Sequence, residues 1–278
     1  MPRTITLALV QSSVPSGVDE ALETVRRSLG EARDGGAHLV LLPDLSLLPF
    51  FPQRSADMSA FELGEAVPGG RSCEALQALA REFDIAIGAT IYEKARDGVY
   101  YDTGIIIDRN GDLRLTQHMM HIPEEPGFHE KYYYKPGITG FPVVEVDGVK
   151  IGMAVGQDHF FPETHRMLVL HAAELVLVPN AIAAVTDPLV LSSQASAVMN
   201  HLYVAVANRI GRHGIHEFIG RSHIAGPDGN LLVQAPDEQC VVIHTLDLDA
   251  LALFRRSQNY WLRDRRPDSY GDLVKDIV

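Results

Sequence analysis

The chain has 278 residues, 46% apolar and 22% charged, which suits one large globular unit or two modest ones with a sizeable core. Its formal net charge is -12, with Lys and Arg scattered rather than clustered, which argues against a nucleic-acid partner. No stretch approaches about 18 consecutive apolar residues, so a membrane-spanning helix is not expected. The opening "MPRTITLALVQSS" runs directly into an alternating strand, without the apolar core and cleavage site of a signal peptide, and a soluble, cytoplasmic protein is expected. Cys73 and Cys240 stand far apart without metal-type spacing, which reads as two half-buried thiols rather than a disulfide or a zinc site.

Along the chain, "TITLALVQ" alternates and then turns apolar, and "VDEALETVRRSLGEARDGG" places Leu22, Val25, Leu29 and Ala32 at helical spacing before ending on glycines. "HLVLLP" follows, apolar on both faces as a strand buried inside layers should be, which completes a β-α-β unit. A second cycle takes the helix "SCEALQALAREF" into the strand "IAIGATIY", and two more strands, "YDTGIIID" and "LRLTQ", flank the turn "DRNGD". The stretch "HMMHIPEEPGFHEKYYYKPGITG" is long, aromatic and rich in Pro and Gly, where ordinary connections span two to six residues; long loops of this kind are usually functional. The cycle then repeats as strand "VKIGMAV", helix from Pro162, strand "AELVLVP", helix "PLVLSSQASAVMNH" and strand "LYVAVAN". Further strands follow around the tight turn "GPDGN", and the basic run "FRRSQNYWLRDRRPD" reads as a packed or ion-paired surface segment.

Strands alternate with helices, yet paired strands without an intervening helix occur in both halves. That combination predicts an α/β fold of two mixed sheets packed together with helices outside, a four-layer α-β-β-α sandwich. Functional groups are expected at three strand exits, after "LVLLP", "LTQ" and "GMAV".

The segments "LLPDL", "HMMHIPEEPGFHEKYYYKPG", "IGMAVGQDHFFPE", "ANRIG", "FIGRSHIAGPDGN" and "DRRPDSYGDL" resemble the carbon-nitrogen hydrolase (nitrilase) superfamily, nearest to its N-carbamoylputrescine amidases. The resemblance covers nearly the whole chain and implies a single domain over 1-278, with 262-278 as a C-terminal extension, and a homodimer. It also implies a Glu-Lys-Cys triad in which Glu takes the thiol proton, Lys steadies the tetrahedral intermediate and Cys attacks. In this sequence those three positions fall on Asp44, Met119 and Gly156. Asp44 keeps a carboxylate one methylene shorter, Met119 has no charge for an oxyanion, and Gly156 offers no nucleophile, so standard nitrilase chemistry is not expected.

Around the altered positions the frame is kept. Glu130 matches a second family glutamate, His121 the His of "MHIP", and Asp158 the Asp after the nucleophile turn; His118, His129 and His159 add imidazoles nearby. Asp44, Glu130 and His159 are therefore candidate catalytic residues, and Met119, His121, His129, Gly156, Gln157, Asp158 and Asn180 candidate substrate contacts. Without a lysine between them, Asp44 and Glu130 facing one pocket would have one carboxyl pKa raised, or the missing positive charge would come from His159, from His118, or from a cationic ligand such as an amine or guanidinium.

Three readings follow. The first is a repurposed enzyme doing non-covalent acid-base chemistry on a small nitrogen-containing molecule. The second is an inactive homologue that binds a small ligand or a partner protein. The third is a metal site from His118 and His121 completed by His159 or Glu130, on a spacing unlike that of zinc helices. No cofactor is implied. Asn208 and Arg209 in "ANRIG" are expected to tie down strand ends.

Overall fold

The computed structural model describes residues 2–183, 188–257 and 260–276. The chain begins with β1 (Thr4–Gln11), α1 (Val18–Asp34), β2 (Leu39–Leu41), α2 (Arg71–Phe83), β3 (Ala86–Arg96), β4 (Val99–Ile107) and β5 (Leu113–His118). A four-residue α3 (Glu130–Tyr133) interrupts the long loop. The second half runs β6 (Val143–Val146), β7 (Val149–Met153), α4 (Pro162–Leu170), β8 (Leu175–Asn180), α5 (Pro188–Asn200) and β9 (Tyr203–Asn208). It closes with β10 (Ile210–His213), β11 (His216–Ile219), β12 (His223–Ala225), β13 (Leu231–Gln234), β14 (Cys240–Asp247), α6 (Leu248–Ser257) and α7 (Tyr260–Arg263).

The strands form two six-stranded mixed sheets, in the orders β14-β1-β2-β3-β4-β5 and β13-β12-β9-β8-β7-β6, with β10 and β11 as a separate hairpin. In each sheet three central strands are parallel, β1-β2-β3 and β7-β8-β9, and antiparallel strands extend both flanks. The period-2 alternation of the strands decides the layers. Leu7, Leu9, Leu39 and Leu41 pack inward against Ile151, Met153, Leu175, Leu177 and Ala205 of the second sheet. Their sequence neighbours Ala8, Val10, Val40 and Leu42 point outward and bury Val25, Leu29, Leu76, Leu79 and Phe83 of α1 and α2. Val176, Val178, Val204 and Val206 do the same with Leu168, Val169, Leu189 and Ala197 of α4 and α5. A continuous apolar run is thus split between two cores, one on each face, and the expected α-β-β-α order results.

The basic run near the C-terminus is packed and ion-paired at the surface, as expected: it forms part of α6 and α7, the Arg255 guanidinium donates to the carbonyls of Ala173 and His201, and the exposed Arg263 and Arg266 pair with Asp264 and Asp268. Cys240 is half-buried, as expected, but Cys73 lies fully inside the α2 core; burial raises both thiols. At the sheet interface near the site, a Cβ on Gly104 would stand 2.7 Å from Val155 Cγ2, so only glycine lets the strands approach there.

Candidate functional site

Two of the three expected strand exits, after β2 and after β7, open onto one cavity of about 380 Å³, of the size that holds a small molecule; His118 and Met119 at the third exit do not line it, and the long loop that follows them contributes Glu130 instead. Asp44 follows β2, Glu130 opens α3, and Gly156 starts a 3-10 turn (Gly156–Phe160) directly after β7. Gly156 has φ 49, a left-handed conformation that a side chain resists, and a Cβ there would lie 2.9 Å from Met119 Sδ. The 119 side chain therefore occupies the space that a side chain at 156 would need. Pro162 at the first position of α4 then sets the helix direction.

Asp44 is 5% exposed. Its Oδ1 accepts from Thr90 Oγ1 at 2.7 Å and from the Leu45 N-H at 2.8 Å, and its backbone N-H donates to the Asn180 carbonyl at 3.1 Å. The fully buried Arg209 donates to the backbone carbonyls of Asp44, Leu45 and Leu48, tying the β9 end to the loop after β2, as the "ANRIG" reading expected. Asn208 does likewise for Ile182 and Gly220. Burial lowers Arg209 to about 10, where it stays cationic at neutral pH.

Acidic groups dominate the rest. Glu130 is 7% exposed, and burial, then Asp44, Glu124 and Glu125, push its carboxyl well above the usual carboxylate range. Burial also raises Asp44, against the opposing pull of Thr90, Arg209 and the Leu45 N-H. The walls carry Asp44, Glu125 and Glu130 and, among the described residues, no Lys or Arg. His216 also lines the cavity, with Nε2 2.7 Å from the Gly127 carbonyl and its ring packed among Phe50, Phe128 and Phe218. Such a cavity favours a ligand that brings positive charge.

Of the residues singled out from sequence, Asp44, Glu130, Gly156, Gln157 and Asn180 line the cavity together. Asn180 Nδ2 reaches the Gly156 carbonyl at 3.4 Å. The others do not line it. Asp158 is fully buried and accepts from the N-H groups of Met120 and His121, with His121 Nδ1 2.7 Å away, so it clamps the long loop. His121 stacks on Phe161, and His129 pairs with Glu124 at 2.9 Å.

His159 requires the largest correction. It lies inside the α4 and α5 layer, with Nδ1 3.1 Å from His165 Nε2 and Nε2 3.1 Å from Ser193 Oγ. Burial, then His165 and His223, hold it well below the ordinary imidazole value. It can neither meet Asp44 and Glu130 nor serve as their missing cation. The metal reading fails for the same geometric reason. His118 faces Glu93 at 3.3 Å and stacks on Tyr101 while His121 faces Asp158, and among the described residues no group of three His, Cys, Asp or Glu side chains could hold a metal ion.

Asp102, Glu125 and His216 were not found from sequence. Asp102 carried a usable signal, a charged residue within the apolar strand "YDTGIIID"; Glu125 comes from the long loop and His216 from the start of β11, and only the fold brings them to the cavity.

Comparison with known proteins places this architecture in context. The model of the family described as "Carbon-nitrogen hydrolase" matches residues 6–256. The chain is similar to N-carbamoylputrescine amidase from Solanum lycopersicum, 34% identical over 98% of this chain and 95% of that protein. It is also similar to citrullinase from Francisella tularensis, at 28% identity over 98% of each chain. Among solved structures, a carbon-nitrogen hydrolase from Helicobacter pylori superposes with a TM-score of 0.93 at 28% identity, covering 99% of this chain and 100% of that one.

Proposed function

The chain belongs to the carbon-nitrogen hydrolase family, and we propose that it acts there as an enzyme without a covalent intermediate, using Asp44 as base and Glu130 as acid on a small, amine-bearing nitrogen compound. The positions that correspond by resemblance to the family's Glu-Lys-Cys triad are Asp44, Met119 and Gly156. Among the described residues that line the cavity there is no thiol to form an acyl-enzyme and no ammonium to hold an oxyanion, whose loss typically costs on the order of 2.7 to 4 kcal/mol. The reaction is then an addition, elimination, cyclisation or direct attack by water, with protons moved by carboxyls.

The observation that carries this reading is that two buried carboxyls face one cavity in different electrostatic settings. Asp44 has two donors and a nearby guanidinium in favour of its charge; Glu130 has only acidic neighbours against it. Carboxyls whose environments push them apart divide the roles of base and acid. The acidic walls supply a seat for an ammonium group. Similarity to proteins named for N-carbamoylputrescine and citrulline, small ureido compounds with a basic amine, agrees with that ligand class.

The test is turnover of a panel of small ureido, guanidino and amide compounds bearing an amine. Asp44→Asn and Glu130→Gln should each abolish turnover while leaving the circular-dichroism spectrum and melting cooperativity intact; activity surviving both substitutions would refute the assignment. A second reading, a ligand-binding protein without turnover, draws support from Met119 filling the space beside Gly156. Micromolar binding of an amine with no product formed would favour it.

The same reading takes residues 1-278 as one domain with 262-278 as its extension, in a cytoplasmic homodimer. Among the described residues no helix is long and apolar enough to cross a membrane. Met167, Leu170, Leu191 and Met199 leave an exposed apolar surface on α4 and α5 that a second copy would cover. Light scattering on the purified chain checks the dimer.

A further inference from the structure

Behind Asp44, away from the cavity lining, stands a carboxyl that the family resemblance does not account for. Asp102 projects from the middle of β4, opposite Tyr92 of β3, and is 1% exposed. Among the described residues neither of its oxygens receives a donor. On Asp44, Oδ1 takes both Thr90 Oγ1 and the Leu45 N-H, while among the described residues no donor reaches Oδ2. The two carboxyls lie within hydrogen-bonding reach of each other.

Two carboxylates have only acceptors to offer, so as a doubly charged pair they repel and leave each other unsatisfied. One proton changes both facts, because the protonated member becomes a donor to the charged one. We propose that Asp102 holds this proton and donates to the Asp44 carboxylate, acting as the positioning residue that fixes Asp44 as the charged member of the pair. The role given to Asp44 rests on the acid-base reading above; the shared proton does not.

The surroundings decide which partner keeps the proton. Thr90, the Leu45 N-H and the Arg209 guanidinium all favour charge on Asp44. Asp102 faces Asp44, Glu130 and Asp158, three acids, and the Tyr134 phenol beside it is neutral and itself pushed well up by burial. Burial first, and these neighbours second, drive Asp102 well above the usual carboxylate range. The pair then carries a single negative charge facing Arg209, a far smaller desolvation burden than two.

Two substitutions separate a neutral Asp102 from a charged one. Asp102→Asn keeps a neutral donor of the same shape, whereas Asp102→Leu keeps the bulk without a donor. The experiment is a carbon-13 NMR titration of labelled aspartate carboxyls in the full chain, without ligand. The wild type should show one aspartate that stays protonated through neutral pH, absent from both variants. Asp44 should titrate almost unchanged in Asp102→Asn and become severalfold harder to ionise in Asp102→Leu.

Absence of a protonated aspartate at neutral pH would overturn the proposal. So would an Asp44 that becomes roughly tenfold easier to ionise in Asp102→Asn, since that response means a negative charge has been removed. If Asp102→Leu does not fold, the wild type and Asp102→Asn decide the matter alone. Because no turnover is needed, failure of the catalytic reading leaves this titration fully informative. A negative titration leaves the turnover test of Asp44 and Glu130 standing.

Discussion

The contact between Met119 and Gly156 makes a quantitative prediction that needs no substrate. In Gly156→Ala the new Cβ would stand 2.9 Å from Met119 Sδ, closer than real Cβ contacts allow, at a residue whose φ is 49. The left-handed backbone costs a non-glycine residue roughly 1 to 2 kcal/mol. Overpacking against a side chain that is 1% exposed adds about 1 to 3 kcal/mol. Methionine is flexible and gives way at the lower end of that range, so the single substitution should destabilise by about 2 to 4 kcal/mol. Met119→Ala alone should cost about 2 to 5 kcal/mol, as for other buried large-to-small changes. In the double variant the clash disappears while the backbone penalty stays. The pair should therefore cost about 1 to 2 kcal/mol less than the sum of the singles, against the 0.3 to 0.5 kcal/mol within which independent sites add. Urea unfolding of the four proteins at one pH measures this cycle. Additivity within that tolerance would show that Met119 does not fill the space beside Gly156.

Other outcomes can be checked on the same protein. His165 and His223 are both held at about 4 by burial, against an ordinary 6.5. The unfolded chain takes up protons near pH 6.5 and the fold refuses them until about 4, so this stability is complete above 6.5 and is lost toward 4. The loss is on the order of 3 kcal/mol per imidazole, and urea midpoints at pH 7.5 and 5 should differ accordingly; equal midpoints would contradict the buried neutral cluster. Glu130 has the opposite sign: its raised carboxyl stabilises the fold below the ordinary carboxylate range, and that contribution is lost as pH rises toward its folded value. Glu130→Gln should therefore gain in melting temperature relative to wild type between pH 5 and 8, and a difference that stays flat with pH would refute the assignment. Finally, Asp44→Glu, Met119→Lys and Gly156→Cys combined should yield hydrolysis of carbamoyl amines or amides. Gly156→Cys by itself should not, because Met119 remains in the way.

Much of the architecture was legible in the sequence because it rests on local periodicity. Alternation in "TITLALVQ" and helical spacing in "VDEALETVRRSLGEARDGG" specify a strand and a helix wherever they are placed. The apolar runs "HLVLLP" and "AELVLVP" are satisfied only between two covering layers. The convergence of Asp44, Glu130 and Gly156 could be read as well, since each sits at the exit of a strand or in the loop beside one. What periodicity lacks is direction. His159 is three residues from Gly156 in sequence, yet the 3-10 turn at Gly156–Phe160 carries its ring into the α4 and α5 layer, where His165 and Ser193 hold it.

The sequence by itself determined the layer order, the family and the three positions where a carboxylate, a thioether and a bare backbone stand. Only the tertiary structure decided how those positions interact. Met119 meets Gly156 across more than thirty residues of chain, and Asp102 meets Asp44 from a strand two places away in the sheet. Charge state and packing depend on neighbours in space, with burial as the largest influence on each carboxyl, and burial belongs to the assembled layers rather than to any segment.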